Sequence, residues 1–457
     1  MSHSRLVTLS ARRSLIWESS VACQSHCVIQ SIHRNGAPEL SRQPSWRAKA
    51  PSIGLSRRSY ATQRLDVKRL RAQVDMRARV GFYTLSNSQG ALKMDANKAN
   101  SIVSDFLHQK SNMDHGSNIQ RLAKKYHVDL DDLTSLAIAT FKIPDLSDPE
   151  KKAMLPPSQH KAISGLLLQG CAQAGDPLAI VHILTAVYSS SSSPDPAAWE
   201  IALLFPQTEI VKYRKTLENL GSEAKSIALG PDVLTLQGLF LERDGQIQKA
   251  RDFYEEAILR SHLKFEPGSR HPMQLPLIDP WNALGFLLKT DKDPSIQAQA
   301  KRYFEKGALE GDDPLSYYEL AAFEPKTSTK WLQYTSKAAA SGHIQAMVDL
   351  ADFYQEVNSK QSPILADNNM RKALNWLLGW KRGGAAMLAR EWLQASANSG
   401  HKPSMLKLVE YYEAGGEHER AKEQLRQVLE PPSSTNQVEE WPQLVQLAKK
   451  RLAGVRP

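Results

Sequence analysis

Histidine and cysteine are the residue types best suited to metal binding and acid–base chemistry, and here they seldom occur in useful groups. Cys23, His26, Cys27 and His33 lie close together, but a second pair of zinc ligands at proper spacing is missing. No dinucleotide fingerprint, P-loop, zinc-protease helix, nucleophile elbow or EF-hand loop is present in the sequence. The sequence therefore predicts no enzyme, no metal and no cofactor.

Two histidines share a sequence context. His343 follows Gly342 and His401 follows Gly400, in otherwise similar surroundings. Such a pair could serve a metal or acid–base role, or each histidine could cap a helix end. Because a polar residue recurs just after a glycine that ends a helix, the capping interpretation is favoured.

A short acidic run offers a second candidate for chemistry. Asp129, Asp131 and Asp132 resemble a cation site only superficially. Carboxylates also stabilise the positive end of a helix dipole, and an apolar helical pattern begins at Leu130. The sequence therefore predicts a helix start here rather than a metal site.

Residues 1–60 have the composition of a targeting sequence. This segment contains nine Lys and Arg residues, two Glu and no Asp, and Ser is abundant, so it carries +7 of the chain's net charge of +10. This composition is typical of a mitochondrial transit peptide, although a basic tail that binds nucleic acid or acidic lipid is the alternative. Arg58, Tyr60 and Ala61 resemble a presequence cleavage site, which predicts a mature chain beginning at Ala61. Cys171 would then be the only cysteine left, which favours the mitochondrial matrix.

Helical spacing of apolar residues recurs along the rest of the chain, and strand signals are scarce. We expect an all-α fold with an N-terminal helical region at 61–157, a repeat region at 158–430, and a loop with a short helix at 431–457. The serine run 189–193 predicts a surface loop. No apolar stretch reaches 18 residues, so no transmembrane helix is expected.

The sequence also resembles itself. The segment around Gly342 aligns with that around Gly400, small residues Ala346 and Ser404 follow at the same distance, and a Trp precedes each glycine (Trp331 and Trp392). Further junctions of this kind are expected at Gly175 and Gly311, and between them a related pattern leads through Gly245 to Ala250. Glycine suits such positions because it adopts the positive φ that ends a helix, while small residues let helices approach closely.

These residues carry a family resemblance. The segment from Trp331 to Tyr354 resembles a Sel1-like repeat, a relative of the tetratricopeptide repeat, and the segment from Ala395 to Tyr412 resembles it again. The segment from Ala250 to Ile258 looks like the second helix of a tetratricopeptide unit. The resemblance covers residues 230–430 and implies a right-handed α-solenoid of stacked hairpins. It departs from the family at 355–386, a longer stretch in which we expect an extra helix near Arg371.

Sel1-like proteins, by this resemblance, are adaptors of protein complexes. We therefore expect a mitochondrial scaffold that serves assembly, maturation or translation support. The alternative is binding to RNA or the mitoribosome through basic clusters at the two ends of the mature chain. These clusters comprise Arg64, Lys68, Arg69, Arg71, Arg77 and Arg79, and Lys449, Lys450 and Arg451.

The most apolar short run is 373–380, which contains Trp376 and Trp380. At this length it could be a buried helix or a contact with a protein partner. Because Lys381 and Arg382 follow, a peripheral contact with the inner membrane is a third interpretation.

Overall fold

The computed structural model describes residues 59–109, 112–146, 153–192, 196–222, 229–261, 275–359, 362–379, 383–431 and 439–454, with side chains from Val67 onward. Residues 1–58 of the predicted presequence, with Arg58 and the Cys23 to His33 group, lie outside these residues, as does Trp380.

The described residues form twenty α-helices and one 3₁₀ helix, and contain no strand, so the all-α prediction is confirmed for them. The helices are α1 (Ser59–Ser88), α2 (Ala96–Gln109), α3 (His115–Tyr126), α4 (Leu130–Phe141), α5 (His160–Gln173), α6 (Pro177–Ser192), α7 (Pro196–Ala202), α8 (Gln207–Ser222), α9 (Gly230–Arg243), α10 (Ile247–Arg260), α11 (Pro280–Lys289), α12 (Pro294–Leu309), α13 (Pro314–Ala321), α14 (Thr329–Ala340), α15 (Ile344–Val357), the 3₁₀ helix (Pro363–Ala366), α16 (Asn368–Leu378), α17 (Gly384–Asn398), α18 (Lys402–Ala414), α19 (His418–Leu429) and α20 (Pro442–Leu452).

Packing follows chain order. The main contacts join helices that are neighbours or at most three helices apart, such as α9 with α10, α11 with α12, and α18 with α19. One apolar core runs from Tyr83 to Ala389, and a second cluster around Leu408 and Leu425 holds the last helices together. Each helix thus buries its apolar stripe against close sequence neighbours. None of the described helices is both long enough and apolar enough to cross a bilayer.

The serine run was expected to be a loop, and that expectation was wrong as far as Ser192. Helix α6 continues through it, because the serine hydroxyls bond back to carbonyls one turn earlier: Ser190 Oγ donates to Val187 O at 3.0 Å, and Ser191 and Ser192 each donate to Tyr188 O at 2.7 Å. Such back-bonding lets serine remain within the last turn of a helix.

An insertion separates two helices that pack on each other. Helix α15 contacts α17 directly, and the 3₁₀ helix and α16 lie between them in sequence. The extra helix predicted near Arg371 is α16. It buries Met370 and Leu374 in the main core and leaves its opposite face exposed.

Candidate functional site: helix junctions and exposed aromatic residues

Three of the predicted glycine junctions share one backbone geometry. Gly175, Gly342 and Gly400 have φ of 90°, 95° and 91°. In each, the glycine N–H bonds the carbonyl three residues earlier, and the next N–H bonds the carbonyl five residues earlier. Gly245 and Gly416 repeat this arrangement. This is the Schellman closure, which satisfies the free carbonyls at a helix end and needs a left-handed residue.

The junction at Gly311 differs from the expectation. The left-handed residue there is Asp312, with φ of 49°, whereas Gly311 donates to the carbonyl of Gly307 at 3.2 Å as a helical residue would. The N–H of Asp313 also reaches Gly307 O, at 3.1 Å, across six residues instead of five. One additional residue in the turn therefore moves the positive φ onto an aspartate, a residue type that tolerates it.

A side chain that can cap the next helix follows four of these junctions, and three of the four accept the cap hydrogen bond. The carboxylates of Asp176 and Asp313 accept from the N–H groups of Ala179 (3.1 Å) and Ser316 (2.9 Å). The Nδ1 atom of His343 accepts from the N–H of Ala346 at 3.2 Å. Histidine thus occupies a position where aspartate caps elsewhere in the same chain.

His401 occupies the fourth of these positions. Its Nδ1 lies 2.8 Å from the hydroxyl of Ser404. The small residues at this distance from each junction, Ala346 and Ser404 among them, are buried. The sequence therefore identified Ala346 and Ser404 at positions where the second helix packs closely.

Both histidines are neutral at neutral pH, and of the two His343 alone accepts a cap hydrogen bond from the backbone. Burial lowers the pKa of His343 to about 4; it lowers the pKa of His401 to about 4 as well, with a further contribution from Lys407. His343 stacks on Tyr318 with ring centroids 4.3 Å apart, and His401 meets Trp441 edge-on. These surroundings are those of packed helix caps, and neither histidine is in a cluster of potential metal ligands among the described residues.

The acidic run gathers three carboxylates at the start of α4. Oxygen atoms of Asp129, Asp131 and Asp132 lie within 4.8 Å of one another. Lys93 sits 3.3 Å from Asp131 and 3.4 Å from Asp132 and offsets their charge. Asp131 and Asp132 occupy the first turn of the helix, which begins at Leu130 as expected. Their observed surroundings are those of helix-dipole partners.

A buried polar network joins α1 to α5, and sequence reasoning missed it. Ser158 Oγ lies 2.8 Å from His160 Nδ1, and His160 Nε2 lies 3.3 Å from the carbonyl oxygen of Asp75. Arg71 bridges Asp75 and Asp145, at 2.8 Å from each. Burial lowers the pKa of His160, and the cations Arg79 and Arg71 add to that effect. Serine, histidine and aspartate lie together here, but their observed contacts attach α1 to the body of the protein.

The predicted basic clusters contain two kinds of cation: some are buried in contacts within the protein, and others are exposed. Arg71 and Arg79 are buried, with Arg79 donating to Asn100 at 3.1 Å, whereas Lys68, Arg69 and Arg77 are exposed. At the other end Lys449 and Lys450 are exposed. The N-terminal cluster is thus partly used inside the protein.

Two hairpins repeat a close contact between a glycine and an aromatic ring. A Cβ atom on Gly238 of α9 would overlap the ring of Tyr254 of α10, and one on Gly285 of α11 would lie 2.6 Å from the ring of Phe304 of α12. Both rings are fully buried. Only glycine allows each ring to lie this close to the partner helix.

Half-buried aromatic residues recur at equivalent positions in successive hairpins, each four residues before a small, buried residue. They precede equivalent small, buried residues in α10, α12, α14 and α17, and they are Phe253, Tyr303, Tyr334 and Trp392. We call these four residues the aromatic row. Tyr303 also borders an open depression of about 360 Å³, which Gln299, Arg302 and Lys306 complete.

The expected pairing of Trp331 with Trp392 was wrong. Trp331 lies eleven residues before Gly342, where the segment ending at Gly400 has the buried Ala389. Trp392 corresponds instead to Tyr334, eight residues before its glycine. The two tryptophans differ by about one helical turn in their distance from the junction glycine. Trp331 therefore fills the core, whereas Trp392 stays half exposed.

The remaining predicted residues are placed as follows. Tyr60 and Ala61 lie in the first turn of α1. Trp376 lies on the exposed face of α16.

No protein-family model matches this chain, and no curated protein matches it either.

Proposed function

We propose that this chain is a mitochondrial scaffold that holds a protein partner and has no catalytic centre of its own. Its hairpins would stack as a right-handed solenoid, and residues 1–60 would direct it to the matrix. The observation that carries the proposal is the recurrence of one junction geometry at Gly175, Gly245, Gly342, Gly400 and Gly416. Repeated hairpins that contact mainly their neighbours produce an extended surface suited to binding another protein.

The aromatic row supplies the contacts for such a partner. Half-buried aromatic rings present rigid apolar area and lose little entropy on binding, and they recur in successive hairpins. The depression beside Tyr303 gives a side chain of the partner room to bind next to this ring. We place the partner along this row, and assembly, maturation or translation support is the class of role that it would serve.

Binding to RNA or the mitoribosome is the second candidate. The exposed lysines at the end of α20 favour it, because phosphate contacts require free cations. The engagement of Arg71 and Arg79 in contacts within the protein weighs against it. We therefore rank a protein partner first.

The experiment compares partners recovered by the tagged full chain with those of the double variant Tyr303→Ala/Tyr334→Ala. We expect the variant to lose a stoichiometric partner protein while retaining its helix content by circular dichroism. The matched control is Trp199→Ala, which removes an exposed aromatic ring outside the row. Undiminished recovery by the double variant would contradict the placement of the partner along the row.

A further inference from the structure

The exposed end of α16 forms an apolar corner with basic neighbours. The Trp376 side chain is 84% exposed and Leu377 is 46% exposed, although Met370 and Leu374 on the opposite face are buried. Gly384, the first residue of α17, lies against Leu378, which brings the start of α17 to the same corner. One turn along α17, Met387 is 47% exposed. We call Trp376 and Leu377 the apolar corner.

The charge next to this corner is positive. Arg371 and Lys372 are exposed, and Lys372 lies one turn before Trp376 on the same face of the helix. Arg371 donates to the amide oxygen of Asn368 at 2.6 Å, and neither cation forms an ion pair among the described residues.

The nearest acidic groups do not cancel this charge. Helix α16 contains no Asp or Glu. Asp367 caps its far end by accepting from the N–H of Met370 at 2.7 Å, nine residues and roughly 14 Å from Trp376 along the helix. Farther along α17, Arg390 and Glu391 are consecutive residues of opposite charge, so together they add no net charge to this region.

We propose that the apolar corner, with Arg371 and Lys372, docks on the surface of an anionic lipid bilayer. Tryptophan and leucine enter the boundary between headgroups and acyl chains, while lysine and arginine face anionic headgroups. A side chain that projects as far as Trp376 suits a fluid surface that closes around it. A protein partner would need a pocket of matching shape, and interface centres are depleted of lysine.

Another exposed apolar pair shows what distinguishes the corner. Trp199 and Leu203 lie one turn apart in and just after α7 and are 55% and 63% exposed. Their neighbour Glu200 is acidic and is paired with Lys161. This pair thus offers exposed apolar side chains without unpaired cations next to them, and it provides a matched control.

The test is co-flotation of the full chain with two kinds of vesicle, phosphatidylcholine alone and phosphatidylcholine with about a third of phosphatidylglycerol. We expect binding to the anionic vesicles and little binding to the neutral ones. Trp376→Ala should weaken binding roughly fivefold. The double reversal Arg371→Glu/Lys372→Glu should weaken it roughly tenfold or more, since each cation near an anionic surface contributes attraction.

The variants share residues 1–60, whose own positive charge attracts anionic lipid, so the comparison isolates the contribution of the corner. All four changed side chains, including Trp199 in the control Trp199→Ala, are exposed, and circular dichroism checks the helix content. Trp199→Ala should bind like the unchanged protein.

Three results would overturn the proposal. They are equal binding by Trp376→Ala and the unchanged chain, equal binding to the two kinds of vesicle, and loss of a co-purifying protein by Trp376→Ala without any change in flotation. The last would assign the corner to a protein partner.

Discussion

At the scale of single residues, the junction caps explain why histidine recurs after glycine. A cap must accept a hydrogen bond from the first turn of the next helix, which a carboxylate does at Asp176 and Asp313. Neutral imidazole does the same through Nδ1 at His343. Protonation would remove that acceptor, so the cap and the low pKa of His343 have a common physical basis.

We predict that His343 makes stability depend on pH. Its pKa is about 4 in the folded protein and about 6.5 in the unfolded chain, so only the unfolded chain takes up a proton between these values. Stability is therefore full above about pH 6.5 and falls as the pH drops toward 4. For this residue the loss between pH 7 and pH 5 is about 2 kcal/mol.

Urea denaturation at the two pH values, on the unchanged chain and on His343→Asn, measures this contribution. The amide oxygen of asparagine can accept the same cap hydrogen bond, and the side chain does not titrate. The difference in unfolding free energy between the proteins should change by about 2 kcal/mol between the two pH values. A constant difference would contradict the assignment.

At the scale of elements, close approach between helices shapes two of the hairpins. Gly238 under Tyr254 and Gly285 under Phe304 repeat one arrangement in two neighbouring hairpins. The shared geometry explains why a glycine inside a helix, normally unfavourable, is retained at both positions. The contact between helices outweighs the local preference.

We predict that Gly238→Ala destabilises the protein by about 2 kcal/mol, since the added methyl group must displace the buried ring of Tyr254. The control is Gly81→Ala in α1, where a Cβ would meet nothing within 4 Å. That change should be neutral or stabilising by up to ~1 kcal/mol, because alanine is the better helix former. Thermal unfolding compares them. Equal effects of the two substitutions would refute the packing explanation.

A second element-scale prediction concerns the attachment of α1. Arg71→Ala leaves the buried carboxylate of Asp75 without its cation, and we expect about 3 kcal/mol of destabilisation. Limited proteolysis should then cut within α1 earlier than in the unchanged protein. Arg77→Ala, which removes an exposed cation of the same helix, is the control. Unchanged protection in Arg71→Ala would show that apolar packing alone holds α1.

Most local signals were read correctly from the sequence, with the serine run and the turn at Gly311 as exceptions, and the non-local contacts were missed. The apolar periodicity predicted the helices, and the conformational freedom of glycine predicted the helix ends at Gly175, Gly342 and Gly400. The turn at Gly311 was misassigned because one added residue changes which residue is left-handed. The network of Asp75 with His160 joins residues 85 positions apart, and no local pattern signals such a contact.

At the scale of the whole molecule, the positive charge is concentrated in the amino-terminal segment. Most of the net positive charge lies in residues 1–60, so the remainder of the chain is close to neutral. A nearly neutral helical array with a recurring aromatic row is better suited to a protein partner than to RNA. The solenoid fold, the mitochondrial targeting and the binding of a protein partner form one proposal, and each part has its own test.

We predict that import removes the residues before Ala61. Helix α1 begins at Ser59, so this cleavage would remove two residues of its first turn and leave the attached part from Arg71 intact. Amino-terminal sequencing of the protein recovered from mitochondria should read from Ala61. A mitochondrial form that still begins at Met1 would contradict the presequence assignment.

The most direct test of the scaffold proposal is affinity purification of the tagged full chain from mitochondria, with and without ribonuclease and at low and high salt. A protein complex held by the aromatic row should be recovered with the same composition under all conditions, because apolar contacts do not depend on counterion release. Loss of the bound material on ribonuclease treatment, with a steep decline in rising salt, would contradict the scaffold proposal and favour RNA binding.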